Sequence, residues 1–194
     1  LTILEKSGND GERAKDCLNK IKESSKLLLS LVNDVLDMAK LESDTVVFSK
    51  ESINLDQVCQ EITDSLFFQA EEEGLHVIGE HDDYSGVYVW SNAVYLKKIL
   101  MNLFTNSIKY NKVNGSIYIS MRTIERSEDR MTCEFKIRDN GIGMSEEFIK
   151  NELFTPFVQA DNSARSNYSG TGLGMPIVKQ LVEKMGGTIT VESK

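Results

Sequence analysis

Two alternating runs constrain the fold of this chain more than any other feature. Residues 116–122 and 131–138 alternate apolar and polar side chains. Met131, Cys133, Phe135 and Ile137 point one way, and Thr132, Glu134, Lys136 and Arg138 the other. That period of two predicts strands with one buried and one wet face. The intervening Glu125-Arg126-Ser127-Glu128-Asp129 reads as a hairpin loop. An apolar sheet face needs a cover, and the neighbouring segments supply one. Asn54 can cap a helix carrying Leu55, Val58, Cys59, Ile62 and Leu66 on one face. Asn92 can cap a second that runs to about Tyr110. A third is predicted over about 175–185, stopping at Gly186-Gly187 before Thr188-Ile189-Thr190-Val191, a candidate strand. Val46-Val47-Phe48 and Leu75-His76-Val77 read as two further short strands. The expected class is α/β: a two-layer sandwich in which helices cover one face of a mixed sheet.

Ahead of this body, residues 11–42 read as one long helix. Ile21, Leu28 and Val35 repeat every seven positions, and Leu31, Val32, Met38 and Ala39 fill the seam. Leu1-Thr2-Ile3-Leu4 looks like the tail of an earlier helix. Ser7-Gly8-Asn9-Asp10-Gly11 is then a turn between antiparallel helices, and Leu41-Glu42-Ser43-Asp44 a hinge. A seven-residue repeat is the coiled-coil period, so dimerisation through this seam is the expectation over packing within one chain.

Composition narrows the function classes. A net charge of −8 argues against a general nucleic-acid binder, which carries a basic stripe. No apolar run approaches the roughly 20 residues needed to span a bilayer. Cys17, Cys59 and Cys133 are odd in number and form no CxxC pair, which fits free thiols in a reducing compartment.

Three segments carry chemistry. In Asn102-Leu103-Phe104-Thr105-Asn106-Ser107-Ile108-Lys109 the two asparagines and the lysine are spaced i, i+4, i+7 on one helical face. Asn106 offers a neutral oxygen to Mg2+, Lys109 a point charge to phosphate, and Tyr110 a ring to a base or ribose. In Asp139-Asn140-Gly141-Ile142-Gly143 a carboxylate can accept from an exocyclic amine such as adenine N6, while Gly141 and Gly143 let backbone approach the base. In Gly170-Thr171-Gly172-Leu173-Gly174 a glycine run opens a helix whose N–H groups can hold phosphate. No Lys-Ser or Lys-Thr follows, so this is not a P-loop. The polar stretch 160–169 before it reads as a mobile lid, from which Arg165 could reach a terminal phosphate. Each segment alone has a plainer explanation: a solvated helix face, a strand-ending turn, a loop charge.

Taken in order, these segments resemble the catalytic, ATP-binding part of sensor histidine kinases, in the superfamily shared with gyrase, MutL and the heat-shock chaperone ATPases. Residues 102–110 resemble the N box and 139–143 the first glycine box. Leu153-Phe154-Thr155-Pro156-Phe157 resembles the F box, and 170–174 the second glycine box. The resemblance implies two domains. Residues 1–43 would be the end of a dimerisation and phosphotransfer hairpin, and 44–194 the catalytic ATP-binding domain, with its last strand missing. It implies ATP and Mg2+ as cofactors, with Asn106 on the metal and Asn102 and Lys109 near the phosphates. Asp139 would read the adenine, helped by Gly141 and Gly143. Phe154 and Phe157 would anchor one end of the lid, and Gly170, Thr171, Gly172, Leu173 and Gly174 would line its other end and the phosphates.

The resemblance further implies a homodimer, a response-regulator receiver domain as partner, and a cytoplasmic setting for a portion not embedded in membrane. Residues 154–161 are similar in style to hybrid kinases. The hydrolysing relatives place a water-activating glutamate where this chain has Asn102. That difference favours phosphotransfer over an ATPase; the alternative is a degenerate ATP-binding scaffold without transfer. The chain departs from the family at Asn92, Tyr95 and Lys98, where Asp, Arg and Gln are usual. No residue here fits the phosphoacceptor: His76 and His81 lie in the ATP-binding part and read as surface residues.

Overall fold

The computed structural model describes residues 11–42, 49–160 and 170–194. The chain divides into two compact units, Leu1–Asp44 and Thr45–Lys194. In the first unit, helix α1 spans Gly11–Glu42. Leu18, Ile21, Leu28, Val32 and Val35 along it are exposed, so the seven-residue stripe is left uncovered. Leu41 and Glu42 still belong to the helix, so the first half of the expected hinge is helical. The expected earlier helix tail and the remainder of the hinge lie outside the described residues.

The second unit runs β1 (Glu51–Asn54), α2 (Leu55–Glu72), β2 (His76–His81), β3 (Tyr88–Ser91), α3 (Ala93–Lys109), β4 (Ser116–Arg126), β5 (Met131–Asp139), α4 (Glu146–Asn151) and α5 (Gly174–Lys184). Both asparagine caps form. The Asn54 side chain accepts from Gln57 N at 3.2 Å and that of Asn92 from Tyr95 N at 2.9 Å. Each satisfies a donor that the first helical turn leaves open.

The described strands form two hydrogen-bonded sheets. β1 pairs antiparallel with β3, while β4 sits between parallel β2 and antiparallel β5. The hairpin is longer than the sequence implied: Glu125 and Arg126 belong to β4, and the turn closes through Ser127 and Arg130. A register shift between Thr123 and Glu125 leaves Ile124 exposed. Strand β3 was not anticipated. Val46-Val47-Phe48 falls outside the described residues; the first described strand is β1, at Glu51–Asn54. Thr188-Ile189-Thr190-Val191, expected as a strand, pairs with no described strand.

The core lies between α2, α3 and the inner face of the strands. Leu66, Ala70, Tyr84, Phe104, Ile117 and Met121 are buried in it, with Cys133, Phe135 and Ile137 packed against its edge. Burial of each large aliphatic side chain contributes about 1.5–3 kcal/mol. This core presses one side of α3 onto the sheet and leaves its other side to α5. The candidate site is built on that second side.

Candidate functional site

Helix α3 distributes its residues by face. Leu100 and Phe104 are buried and Ile108 packs on the core edge. Asn102, Asn106 and Lys109 are half-buried on the side facing α5. Helix α5 begins at Gly174, and a Cβ there would stand 3.2 Å from Asn102 Oδ1. The backbone at the helix start thus approaches the amide closely, and a Cβ at 174 would push that amide back by a few tenths of an ångström. Among the described residues no side chain caps this helix. Its first N–H groups, at Gly174 and Met175, are of the kind that can meet an anion.

Lys109 and Tyr110 form the far end of the site. The Lys109 amine donates to the Tyr110 hydroxyl at 2.9 Å and lies 4.6 Å from the ring centroid. Gly170 passes directly beside it, since a Cβ there would meet Lys109 Nζ at 2.6 Å. Gln159 Nε2 donates to Gly170 O at 2.6 Å, and Phe157 N donates to Gly172 O at 3.1 Å. These two bonds tie the F-box segment to the second glycine segment. Gly172 needs its glycine on two counts: its φ is +71°, and a Cβ would come 2.8 Å from the Phe157 backbone. Phe157 itself has φ +66° and an exposed side chain. Leu173 is buried, and its N–H donates to Thr171 Oγ1 at 3.2 Å.

The third wall is the end of β5. Asp139 Oδ1 accepts from Gly141 N at 2.9 Å, and Oδ2 accepts from Ser107 Oγ at 3.1 Å. Ile142 N donates to Tyr110 O at 3.0 Å, so this glycine turn is stacked on the C-terminus of α3. Gly143, with φ +70°, faces the C-terminal segment instead: Ser193 Oγ accepts from Met144 N at 2.9 Å. Arg165 lies outside the described residues. His76 and His81 sit exposed on β2.

The arrangement thus pairs Asn102 with Gly174, Lys109 with Gly170, and Asp139 with the end of α3. Asn106 joins the others through their shared helix, and its side-chain amide makes no hydrogen bond among the described residues. Among the described residues no three His, Cys, Asp or Glu side chains converge to hold a metal. A divalent ion here would rest on the Asn106 oxygen and on oxygens brought by a ligand, which suits Mg2+. Sequence reasoning missed three contributors: Ser107, Asn111 and Gln159. Asn111 is buried, and its Nδ2 donates to Ser107 O at 3.0 Å. Only the i, i+4 spacing of Ser107 and Asn111 hinted at this.

Comparison with known proteins places the geometry. Residues 91–194 match the family described as histidine kinase-, DNA gyrase B-, and HSP90-like ATPase. Hybrid signal transduction protein dokA of Dictyostelium discoideum is 36% identical over 182 residues, which cover 92% of this chain and 11% of that protein. Signal transduction histidine-protein kinase BarA of Escherichia coli is 34% identical over 180 residues, covering 93% of this chain and 19% of BarA. The chain therefore spans only a small part of these relatives. Among solved structures, full-length ShkA in complex with AMPPNP superposes with a TM-score of 0.69 at 24% identity, over 89% of this chain and 34% of that one. Histidine kinase ThkA in complex with response regulator TrrA gives 0.70 at 20% identity, over 96% and 49%. Both share the fold. No described helix is long and apolar enough to cross a membrane.

Proposed function

Given that this chain belongs to the histidine kinase-, DNA gyrase B- and HSP90-like ATPase family and carries the ATP-binding catalytic part of a sensor histidine kinase, we propose that it passes the γ-phosphate of Mg-ATP to a histidine outside residues 1–194. The phosphate then goes to a response-regulator receiver domain. ThkA, whose structure is with a response regulator, supports that partner. The uncovered stripe of α1 supports a homodimer, in which residues 1–43 complete a helical hairpin and 44–194 form the catalytic domain. The setting proposed for this portion is cytoplasmic.

One observation carries the reading: Asn102, a neutral amide, stands beside the open start of α5 where phosphate would sit. An amide cannot take a proton from water, so the site holds a triphosphate without a base to hydrolyse it. Transfer then depends on charge and placement. Asn106 would hold Mg2+, which neutralises phosphate charge when bound. Lys109 adds a cation, and the N–H groups near Gly174 add donors. Asp139 would accept from the adenine amine, with Gly141 and Tyr110 beside the base; Gly143 would shape the turn. Phe157, Gly170, Thr171, Gly172 and Leu173 would shape the phosphate end, and Arg165 would reach the terminal phosphate.

The test mixes this chain with a separate polypeptide bearing the histidine-carrying helix of the hairpin, and labelled ATP. Acid-labile label on that histidine is expected. Brisk hydrolysis with no labelled histidine overturns the proposal. Asn106→Ala should abolish Mg2+-dependent ATP binding in the same preparation; unchanged binding would discredit the site itself.

A further inference from the structure

Ser107 is a hydroxyl where the helix interior calls for packing alone. It is only 7% exposed, faces away from the Asn102–Asn106–Lys109 side, and bonds to a carboxylate 32 positions later in the chain. Its placement is not loose. Asn111 Nδ2 donates to the Ser107 carbonyl at 3.0 Å and reaches Ser116 O at 3.5 Å. Asn111 Oδ1 accepts from Lys112 N at 3.0 Å. Gly115 closes on the same amide, for a Cβ there would stand 2.1 Å from Asn111 Oδ1. The turn after α3 therefore fixes Asn111, Asn111 fixes the last turn of the helix, and the helix aims the Ser107 hydroxyl at Asp139.

We propose that Ser107 is a positioning residue for base selection: it locks the Asp139 carboxylate in an orientation that accepts an amine-bearing purine and rejects a 6-oxo purine. This rests on the reading that Asp139 meets the exocyclic amine. A carboxylate offers about four acceptor positions and no donor. Gly141 N–H occupies one on Oδ1 and Ser107 O–H one on Oδ2. What remains toward the pocket are lone pairs with a fixed direction. An amine hydrogen meets them productively, and a carbonyl oxygen meets them lone pair to lone pair. The torsion about the bond to the carboxylate is broad and roughly two-fold, so a carboxylate held by one donor can turn. Once turned, it can take in a water whose hydrogens face the base, and a 6-oxo group then finds a donor. Ser107 removes that option by holding the second oxygen.

The experiment uses the whole 194-residue chain and measures dissociation constants for ADP and inosine diphosphate with Mg2+ by calorimetry. The unaltered chain is expected to prefer ADP. Ser107→Ala should weaken ADP by about tenfold, the scale of a hydrogen bond to a charged group, and leave inosine diphosphate within about twofold, so that the preference collapses. Ser107→Thr and Ser107→Val add similar bulk, and only the threonine keeps the hydroxyl; Thr should retain the preference and Val lose it. Equal loss for both nucleotides, or identical behaviour of Thr and Val, would show a packing role and overturn the proposal. Asp139→Asn separates the two ideas. If it leaves the ADP preference intact, the base-reading role of Asp139 fails and Ser107 falls with it. If it abolishes the preference while Ser107→Ala does not, only the role of Ser107 is lost.

Discussion

Gly141 lies against the carbonyl of Tyr110, so closely that a Cβ would stand 2.3 Å from that oxygen and 2.9 Å from Asp139 Oδ1. Neither neighbour can yield cheaply, because one is backbone and the other is already held by Ser107. Gly141→Ala should therefore cost about 2 kcal/mol or more of folding stability, a fall of roughly 5 °C in melting temperature for a domain of this size. Adenine nucleotide binding should weaken with it. Thermal melts with and without ADP check both, and an unchanged melt would mean that the turn relaxes freely.

Gly170 offers a contrasting case. The atom its Cβ would meet, at 2.6 Å, is the far end of Lys109, which can swing aside. Gly170→Ala should leave stability within about 0.5 kcal/mol while displacing the amine from the phosphate end. ATP affinity should fall several-fold and adenosine affinity should not, as calorimetry with the two ligands would show. Matching losses for both would locate the defect at the base instead.

The F-box segment is also held from α5. Lys179 Nζ stands 5.2 Å from the Phe154 ring centroid and 4.0 Å from Glu183 Oε1. The pair is partly exposed, so Lys179→Ala should cost only about 0.5 kcal/mol, and Lys179→Arg should cost nothing measurable. Urea titration of the two variants decides whether the ring contact contributes.

How much of this was readable beforehand depended on range along the chain. The caps at Asn54 and Asn92 are local devices and formed where residue type and spacing placed them. The departure from aspartate at 92 changed nothing there, because asparagine offers the same acceptor. Strand β3 escaped notice because its outward residues, Tyr88 and Trp90, are apolar yet exposed, which erases the alternation that marks a strand. Helix α4 has six residues, too few to show a period, although Ser145 caps it. Thr188–Val191 alternates well, yet alternation alone supplies no partner strand. In the site, residues on one face of α3 could be grouped from spacing alone. The Ser107–Asp139 and Gln159–Gly170 bonds could not, since each joins segments that only the tertiary fold brings together.

The half-buried Cys59 thiol packs against the core beside Met121, with Sγ and Sδ 3.2 Å apart. Burial, then the neighbouring Cys133 and Asp56, push its pKa from 9.0 up to about 11. An unfolded chain would ionise this thiol near 9.0, while the folded chain keeps its proton. Stability that is whole below pH 9 is therefore lost progressively as pH rises toward 11. Cys59→Ala should flatten that decline; urea unfolding at pH 8 and pH 10.5 measures it, and equal slopes for both proteins would exclude the effect.

The bond from Ser107 to Asp139 closes a stretch of chain that contains both strands of the β4–β5 hairpin. Bringing its ends together costs loop-closure entropy that only the completed hairpin can offset. The Ser107–Asp139 corner, proposed to read the base, therefore does not form while the hairpin is open. It is assembled by the same event that pairs β4 with β5. On the proposed reading of Asp139, purine nucleotide would bind only after that event, and ligand would then act on this domain by slowing its opening, not by guiding its assembly.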